Sequence, residues 1–373
     1  MIKILQVITL SEIGGAQKVL FDIVRSLNRK ESFEFHVACA PGGELVEWLK
    51  SMEIKVFELP ELVRPISPGR DLAAFIKLHR IIKENKYEVV HCHSSKAGIL
   101  GRLAAKLTGV PRIVFTVHGW GVTPLQSPLK RFVFGFFERL AGKAATDVIC
   151  VSKADFEMGK GFVPGKKLKV IYNGVESLKG SPGGLRQEID VGEKDVIVGM
   201  AARLKEPKDP LFLLKTAEKI LQKHQTGVYF VLVGDGPLRE ECDDFIRANK
   251  LQSRIHLLGT RPDLIHLYQD FDVFALFSSW EGLPLTICEA MMAGLPVVAS
   301  QVGGVGEQVT QGWNGFLLDK HDVDKAADYV NRLILNEALR KQMGENSKKR
   351  AEELFRIERM TEAYKELYLA SNK

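Results

Sequence analysis

The sequence contains no long hydrophobic run. None of its 373 residues lies in a stretch of about 18 uninterrupted apolar side chains, which a membrane-spanning helix requires. The start, MIKILQVITL, has too short an apolar run for a secretory signal and lacks a cleavage site of small residues. We therefore expect a cytoplasmic protein that is at most peripheral to a membrane, at its cytoplasmic face.

Cysteine is scarce, and positive charge is not concentrated in any segment. The cysteines are scattered through apolar segments without the spacing of a metal site, which predicts reduced core thiols and no bound metal. A net charge of +6 fits an anionic partner such as a nucleotide, a lipid-linked pyrophosphate or a membrane surface. The dense Lys/Arg run of a nucleic-acid-binding protein is missing, so we expect no nucleic acid partner. The cysteines are Cys39, Cys92, Cys150, Cys242 and Cys288.

Internal repeats and low-complexity segments are missing too, and the chain is long enough for two domains with separate cores. Short apolar strands such as KILQVITL, FEFHVACA and YEVVHCHS alternate with helical segments, which predicts an α/β fold with parallel sheets. A second series of this kind begins at DVIVGMAARL. The stretch SLKGSPGGL, rich in Gly, Ser and Pro, separates the two series and predicts a domain boundary near 174–184.

The chain is organised around residues 276–304, in which a strand, the loop WEGLP, a helix and a second strand follow one another. The free backbone N–H groups at the helix start, near Leu285 and Thr286, would suit a phosphate. Glu289 would then lie deeper on the same helix face, and Glu281 would face whatever the phosphate carries. On spacing alone, a surface glutamate and a helix-stabilising glutamate beside a buried βαβ unit explain the pattern equally well.

Basic residues follow the first strand of the second series. Arg203 ends that strand, and Lys208 lies five positions later, before a helix that Asp209 would cap. Basic side chains at a strand end can hold an anionic ligand such as a diphosphate. Individually, such residues are common on protein surfaces. The Gly-Asp-Gly turn at Gly234 and Gly236 is by itself a weak indication of phosphate binding.

In the first series, polar residues follow several strands. Because ligands of parallel sheets bind at the carboxyl ends of the strands, His118 and the pair Gly14 and Gly15 are candidate site residues. Ser95 and Lys96, after another strand, are further candidates at the same kind of edge. A histidine at a strand end is more often structural, a glycine pair is usually a turn, and a lysine at a helix start is usually solvated.

Several motifs, in order along the whole chain, resemble one family. Glu281-Gly-Leu-Pro-Leu with Glu289 eight positions after Glu281, followed by AGLPVVAS and a Gly-Gly pair, is similar to the signature of retaining glycosyltransferase family 4. The resemblance implies a GT-B fold, in which two Rossmann-like parallel-sheet domains face each other across a cleft. It places an acceptor-side domain at 1–176, completed by a last helix at about 356–373, and a donor-binding domain at 184–355.

The resemblance also implies roles for the candidate residues. Arg203 and Lys208 would neutralise the departing diphosphate, Glu281 would hold the donor sugar, and His118 would contact that sugar near its reacting carbon. The family's usual Lys-Gly is Lys208-Asp209 here, a departure that keeps the charge. Lys96, beside Ser95, resembles a basic residue of polysaccharide-building members of the family and would contact the acceptor. No metal and no other cofactor are expected. The remaining residues implied to bind the donor are Gly14, Gly15, Gly234, Gly236, Thr260, Arg261, Leu283, Leu285, Thr286 and Glu289.

The expected activity is transfer of a sugar from a UDP- or GDP-linked donor to an acceptor hydroxyl, with retention of configuration. A sugar or lipid-linked saccharide in bacterial capsule or exopolysaccharide synthesis is the expected acceptor. The alternatives are a non-hydrolysing sugar-nucleotide epimerase and a silent donor-binding subunit. A dehydrogenase is disfavoured, since no full G-x-G-x-x-G follows the first strand.

Residues 121–145 allow two interpretations. Their phenylalanines beside basic side chains would suit a membrane interface, here that of the inner membrane. Spacing at 132, 136 and 140 also fits one buried face of a core helix, and we favour this core interpretation. The two interpretations are also compatible, one for each face of the helix.

Overall fold

The structure is a computed structural model that describes residues 1–28, 33–122, 126–178, 181–224, 226–319 and 322–370. Parts of the expected linker (179–180), of the segment 121–145 (123–125) and of the last helix (371–373) lie outside these residues. The chain divides into two compact units. Unit 1 comprises Met1–Gly174 and Ile357–Lys373, and unit 2 comprises Val175–Arg356.

Unit 1 alternates strands and helices along the chain. Its strands are β1 (Ile2–Val7), β2 (Phe33–Cys39), β3 (Lys55–Glu58), β4 (Val89–His93), β5 (Arg112–Val117), β6 (Asp147–Cys150) and β7 (Leu168–Val170). Its helices are α1 (Gly15–Leu27), α2 (Glu44–Ser51), α3 (Pro68–Asn85), α4 (Ser95–Leu107), α5 (Pro128–Ala144) and α6 (Lys153–Gly159), with a short 3₁₀ turn at Gly165–Lys167.

Unit 2 repeats this pattern. Its helices are α7 (Leu185–Glu188), α8 (Pro210–Leu221), α9 (Arg239–Ala248), α10 (Leu264–Leu267), α11 (Leu285–Met292), α12 (Val305–Gln308), α13 (Val323–Leu335) and α14 (Glu337–Leu354). Its strands are β8 (Val196–Ala201), β9 (Val228–Val233), β10 (Ile255–Gly259), β11 (Val273–Leu276), β12 (Val297–Ser300) and β13 (Gly315–Leu318). The last helix, α15 (Ile357–Leu369), belongs to unit 1.

Both sheets are parallel and share one strand order. In unit 1 the order is β3-β2-β1-β4-β5-β6-β7, and in unit 2 it is β10-β9-β8-β11-β12-β13. In each sheet, the strands that come first in the chain extend to one side of the first strand and the later strands extend to the other side. The order therefore switches between β1 and β4 in unit 1 and between β8 and β11 in unit 2. In doubly wound sheets ligands bind beyond the carboxyl ends of the strands at this switch point. The predicted α/β fold with two Rossmann-like parallel sheets is therefore confirmed.

The central strands are buried on both faces, which their near-continuous apolar sequences require. Every residue of β8, VIVGMA, and of β4, VVHCH, is buried. One face of the unit 1 sheet carries an apolar cluster that includes Leu78 and Ile82 of α3 and Ala104 of α4. Tyr364 and Tyr368 of α15 contact histidine on β4 and therefore cover polar residues of the same sheet. All five cysteines are buried and free.

Helix α5 contradicts the interpretation that we favoured for residues 121–145. Phe132, Phe136 and Leu140 are 70%, 55% and 43% exposed, so the face that they share is not in the core. The buried side of the helix consists instead of small residues and one carboxylate. These residues are Gly135, Glu138, Ala141, Gly142 and Ala144. Because small residues bring the backbone of α5 close to its neighbours, the bulky side chains must lie on the outer face.

An ion pair fixes which face of α5 is buried. Arg102 of α4 donates to Glu138 at 2.8 Å and to the carbonyl of Gly98 at 2.7 Å, and its guanidinium lies 3.8 Å above the ring of Phe115. Both charged side chains are almost completely buried. Rotating α5 about its axis would strand both charges in an apolar environment, which costs several kcal/mol. Among the described residues, no helix is long and apolar enough to span a membrane.

Candidate active site

The loops that follow the strands of unit 2 are joined by backbone hydrogen bonds. Beside Arg203, the amides of Ala202 and Leu204 donate to the carbonyls of Val233 and Asp235, at 3.0 and 2.9 Å. The loop after β8 is thus fixed against the loop after β9. Arg203 itself is exposed, and its side chain has no hydrogen-bond or ion-pair partner among the residues that the structure describes. Because the backbone beside Arg203 is fixed and its side chain is exposed, the guanidinium is available to an anionic ligand.

Two glycines make this contact between loops sterically possible. Gly234 has φ +132, and a Cβ there would lie 2.1 Å from the carbonyl oxygen of Ala202. At Gly236 a Cβ would lie 2.3 Å from the carbonyl oxygen of Leu204. Any side chain at either position would therefore push the two loops apart. The Gly-Asp-Gly turn borders the segment that contains Arg203.

Lys208 and Glu281 form an ion pair across 73 residues of sequence, with 2.5 Å between Nζ and Oε1. Ser278 donates to the same carboxylate oxygen at 2.6 Å. The amide of Ser279 donates to the carbonyl of Pro207 at 2.8 Å, which ties the loop after β11 to the loop that carries the lysine. Only 8% of the Glu281 side chain and 23% of the Lys208 side chain are exposed. The switch point of unit 2 thus holds a shielded but reachable pair of opposite charges.

The glycine pair after β12 packs against the backbone beside Glu281. Gly303 has φ +50, and a Cβ there would lie 1.8 Å from the carbonyl oxygen of Glu281. The amide of Gly304 donates to the carbonyl of Gly282 at 2.7 Å. Three strand-end loops therefore fix the position of one carboxylate. The predicted Asp209 cap is also present, with its side chain accepting from the amide of Phe212 at 3.1 Å.

Helix α11 begins at Leu285, as the sequence predicts, and its first turn has neither a side-chain cap nor an acidic residue. The amides of Leu285 and Thr286 therefore lie at an uncapped N-terminus, while the side chains of Leu283 and Leu285 are buried. One turn further on, Glu289 is 7% exposed and accepts from the hydroxyl of Tyr268 at 2.9 Å. Burial and this carboxylate raise the pKa of Tyr268 well above its usual value, so the phenol stays protonated.

Arg261 lies directly after β10, beside Thr260, and its guanidinium is already occupied. It donates to Asp263 at 2.8 and 2.7 Å and to Glu188 at 2.7 and 2.9 Å. These carboxylates raise its pKa, with the hydrogen bonds to Asp263 contributing most. The backbone at Thr260 and Arg261, rather than this side chain, is what the loop offers to a ligand.

In unit 1, Gly14 is the N-cap of α1 and Gly15 is its first residue, at the switch point after β1. Across that point, α4 begins at Ser95, after Ser94, whose side chain lies 2.8 Å from the hydroxyl of Thr9. Lys96 donates to Asp71 of α3 at 2.5 Å, so its charge is already paired.

His118 follows β5 and stacks on His93 of β4, with ring centroids 5.2 Å apart. Its Nε2 lies 2.9 Å from Nδ1 of His93, and Nε2 of His93 lies 2.8 Å from Oε1 of Gln6 in β1. Burial lowers the pKa of His118 to about 4 and that of His93 well below its usual value. Both imidazoles are therefore neutral near pH 7, and a neutral imidazole carries one N–H.

Sequence analysis missed the partners of these residues. Tyr268 and Ser278 lie 21 and 3 positions from their partners Glu289 and Glu281. Gln6, which is linked to His118 only through His93, lies 87 positions from His93. Of these, only the Ser-x-x-Glu spacing was visible in the sequence. Among the described residues, no group of three or more His, Cys, Asp or Glu side chains is arranged to hold a metal ion.

Comparison with known proteins identifies both halves of the chain. Sequence models for "Glycosyltransferase Family 4" and "Glycosyl transferases group 1" match residues 13–177 and 184–350. The UDP-Gal:alpha-D-GlcNAc-diphosphoundecaprenol alpha-1,3-galactosyltransferase of Escherichia coli is 33% identical, over 99% of this chain and 97% of its own length. The O-antigen biosynthesis glycosyltransferase WbnH, also from Escherichia coli, is 30% identical over 85% of this chain and 86% of its own.

Among solved structures, Anabaena HepE in complex with UDP and glucose matches with a TM-score of 0.85 and 24% identity. The match covers 99% of this chain and all of that one. The fold is thus of the GT-B type, with two Rossmann-like parallel-sheet domains. The chain belongs to the glycosyltransferases, with a family 4 domain followed by a group 1 domain, and the resemblance noted in the sequence is confirmed.

Proposed function

We propose that this protein is a retaining glycosyltransferase that transfers a sugar from a UDP-sugar to a hydroxyl of a lipid-linked saccharide in bacterial surface polysaccharide synthesis. The observation that carries the proposal is the Lys208–Glu281 pair, held 2.5 Å apart at the switch point of unit 2. In that pair the ammonium would bind the diphosphate and the carboxylate would bind the hydroxyls of the donor sugar. The names of the Escherichia coli relatives support the UDP-sugar, the lipid-linked acceptor and the polysaccharide product.

The chemistry that we propose needs positive charge where the leaving group departs. As the glycosidic bond breaks, negative charge accumulates on the nucleoside diphosphate, and Arg203 and Lys208 would stabilise it. The uncapped start of α11 would add backbone N–H groups at the same phosphates. With these donors in place we propose that no metal ion is required. Glu289, held by Tyr268, would accept hydrogen bonds from the ribose.

The donor assignment is tested by thermal unfolding in the presence of UDP, GDP and ADP, since a ligand that binds only the folded state raises the melting temperature. We expect UDP to give the largest shift. The transfer itself is tested with UDP-galactose and a synthetic α-GlcNAc-diphospho-lipid. The anomeric configuration of the product, read by NMR, decides between retention and inversion. An inverted product would contradict the proposed mechanism.

Two alternatives give different results in the same assay. An epimerase would convert the donor in the absence of any acceptor, so incubation of UDP-sugars alone must yield an epimer. A silent donor-binding subunit would show a thermal shift with UDP and no transfer. Adding EDTA to the transfer reaction tests metal independence, and a large loss of rate that Mg²⁺ restores would contradict that part of the proposal.

We also propose that unit 1 contacts the cytoplasmic face of the inner membrane through the outer face of α5. Leu129 and Phe132 are 73% and 70% exposed, and Phe136 and Phe137 are 55% and 42% exposed. The exposed positions of the same helix include basic side chains and no acidic one. These basic residues are Lys130, Arg131, Arg139 and Lys143. An apolar stripe flanked by positive charge fits an anionic lipid surface, which would also bring the enzyme to a lipid-linked acceptor.

Cosedimentation with vesicles tests this contact. We expect binding to phosphatidylglycerol-containing vesicles, weaker binding to phosphatidylcholine alone, and further weakening by salt. The double substitution Phe132→Ser and Phe136→Ser should weaken binding at least about tenfold, because each inserted phenylalanine contributes about 2 kcal/mol. Leu335→Ser is the matched control, because Leu335 is 70% exposed on α13 of unit 2. An equal effect of both variants would contradict the assignment to α5.

A further inference from the structure

A chain of hydrogen bonds runs through the interior of unit 1 and ends at His118. It begins on α15, where the hydroxyl of Tyr368 accepts from Nε2 of Gln6 at 3.1 Å. It continues from Oε1 of Gln6 to Nε2 of His93 at 2.8 Å, and from Nδ1 of His93 to Nε2 of His118 at 2.9 Å. Tyr368, Gln6 and His93 are all 0% exposed. Burying these polar groups is costly unless each of them has a hydrogen-bond partner. The assignment of donors and acceptors along the chain is therefore constrained.

We propose that Gln6 and Tyr368 are positioning residues that hold His118 in its Nε2–H tautomer, so that Nδ1 presents an uncharged hydrogen-bond acceptor to a hydroxyl of the donor sugar. The contact with the sugar rests on the proposed function. The tautomer itself does not, because it follows from the protein groups alone.

The direction of the chain follows from the chemistry of its members. A carbonyl oxygen only accepts, so Nε2 of His93 must carry the proton that faces Gln6. Since burial lowers the pKa of His93 well below its usual value, this imidazole is neutral and its Nδ1 has no proton. Nδ1 of His93 must therefore accept from Nε2–H of His118. Because His118 is neutral as well, its Nδ1 keeps a free lone pair.

The Tyr368 hydroxyl is the partner of the NH₂ end of the Gln6 amide, and the oxygen of that amide faces His93. The hydroxyl of Tyr368 also lies 2.6 Å from Nδ1 of His91, whose Nε2 lies 2.8 Å from the hydroxyl of Thr116. The NH₂ of Gln6 only donates, so the Tyr368 hydroxyl accepts from it and can donate its own proton to Nδ1 of His91. The amide oxygen is then left for His93. Without the Tyr368 hydroxyl, the amide could rotate by 180° and reverse every donor as far as His118.

A second tyrosine of the same helix provides a matched control. The hydroxyl of Tyr364 lies 2.9 Å from that of Thr116, at the far end of the His91 branch, and among the described residues no hydrogen bond joins it to Gln6. Tyr364 is 1% exposed and lies four positions before Tyr368. Tyr364→Phe and Tyr368→Phe thus remove the same atom from the same helix. Only the second removes the group that orients the amide.

NMR of protein labelled with ¹⁵N-histidine tests the tautomer, because two-bond couplings to the ring protons distinguish a protonated nitrogen from a bare one. His118→Asn assigns the signal among the nine histidines. We expect Nε2–H for His118 in the natural protein and in Tyr364→Phe, and a mixture of tautomers in Tyr368→Phe. Should Tyr368→Phe not fold, Gln6→Met removes the same constraint at nearly constant volume. Nδ1–H in the natural protein, or one unchanged tautomer in both Tyr368→Phe and Gln6→Met, would overturn the inference.

Kinetics tests the link to the sugar. We expect Tyr368→Phe to lower kcat/KM for the donor about tenfold, the size of one neutral hydrogen bond, and Tyr364→Phe to leave it unchanged. Mixed tautomers with unchanged kcat/KM would overturn the positioning role. If the protein transfers no sugar at all, the proposed function fails, while the NMR measurement still decides whether Gln6 and Tyr368 set the tautomer.

Discussion

The Lys208–Glu281 pair should act as one unit in both stability and catalysis. Two unit charges about 2.5 Å apart attract by about 7 kcal/mol at an effective dielectric constant of about 20. The cost of removing both groups from water offsets most of this attraction. Lys208→Met strands a carboxylate that is only 8% exposed, and we expect it to lower the free energy of unfolding by about 2–3 kcal/mol. Glu281→Gln should cost about 1 kcal/mol, since Lys208 still reaches water.

Turnover should respond more strongly than stability. In the proposed mechanism each single substitution removes one contact with the transition state, so we expect kcat to fall at least about a hundredfold. If Lys208 and Glu281 serve one site, the double variant should fall about as far as the worse single variant, rather than by the product of the two effects. Urea unfolding and initial rates of UDP release, with donor and acceptor saturating, measure both quantities.

The control is Lys215→Met, which removes an exposed lysine from α8, the helix that begins two residues after Lys208. It should change neither stability nor kcat. Near-normal turnover in Lys208→Met or Glu281→Gln would remove that residue from the site. Fully multiplicative effects on kcat would refute the claim that the pair acts as a unit.

Three further predictions follow from contacts in single units. Glu138→Gln leaves the buried Arg102 charge unpaired and should lower the free energy of unfolding, measured with urea, by about 3–5 kcal/mol. The control Glu157→Gln, at an exposed ion pair, should lower it by less than about 1 kcal/mol. Gly303→Ala should abolish transfer because its Cβ would overlap the Glu281 loop, whereas Gly306→Ala, with open space around its Cβ, should leave the rate unchanged. Below pH 6.5, stability should fall by up to about 1.4 kcal/mol per pH unit for each buried histidine, measured by urea unfolding across pH.

The sign of the pH effect follows from burial. Desolvation lowers the folded-state pKa of His91, His93 and His118 below 6.5, to about 4 for His118. Between these values the unfolded chain binds more protons than the folded protein, so stability present above pH 6.5 is lost on acidification. Stability that stays constant from pH 7 to pH 5 would contradict this account. An equal loss of stability in Glu138→Gln and Glu157→Gln would contradict the prediction for the buried ion pair. Equal transfer rates in Gly303→Ala and Gly306→Ala would contradict the prediction for the glycine loop.

The amino-acid sequence by itself determined the elements of this fold and the sheet edges at which its candidate site lies. Alternating apolar strands and helices predict parallel sheets, and in parallel sheets residues that follow strands meet at one edge. Arg203, Lys208, Glu281 and Glu289 are candidates by this rule, but their spacing fits structural roles as well, and only the resemblance to a family implies functions for them. Even the start of α11 and the Asp209 cap follow from local rules, because both depend on residues only a few positions apart.

Only the tertiary structure decided which side chains pair. Lys208 and Glu281 are 73 residues apart, and Gln6 and Tyr368 are 362 apart, so no local spacing relates them. Helix α5 shows the same limit: helical periodicity defined a face with Phe132 but not whether that face is buried. Arg102, the buried partner of Glu138, holds the opposite face of the helix inside, so the face with Phe132 lies outside. Periodicity constrains neighbours along one element, whereas burial depends on what the rest of the chain packs against it.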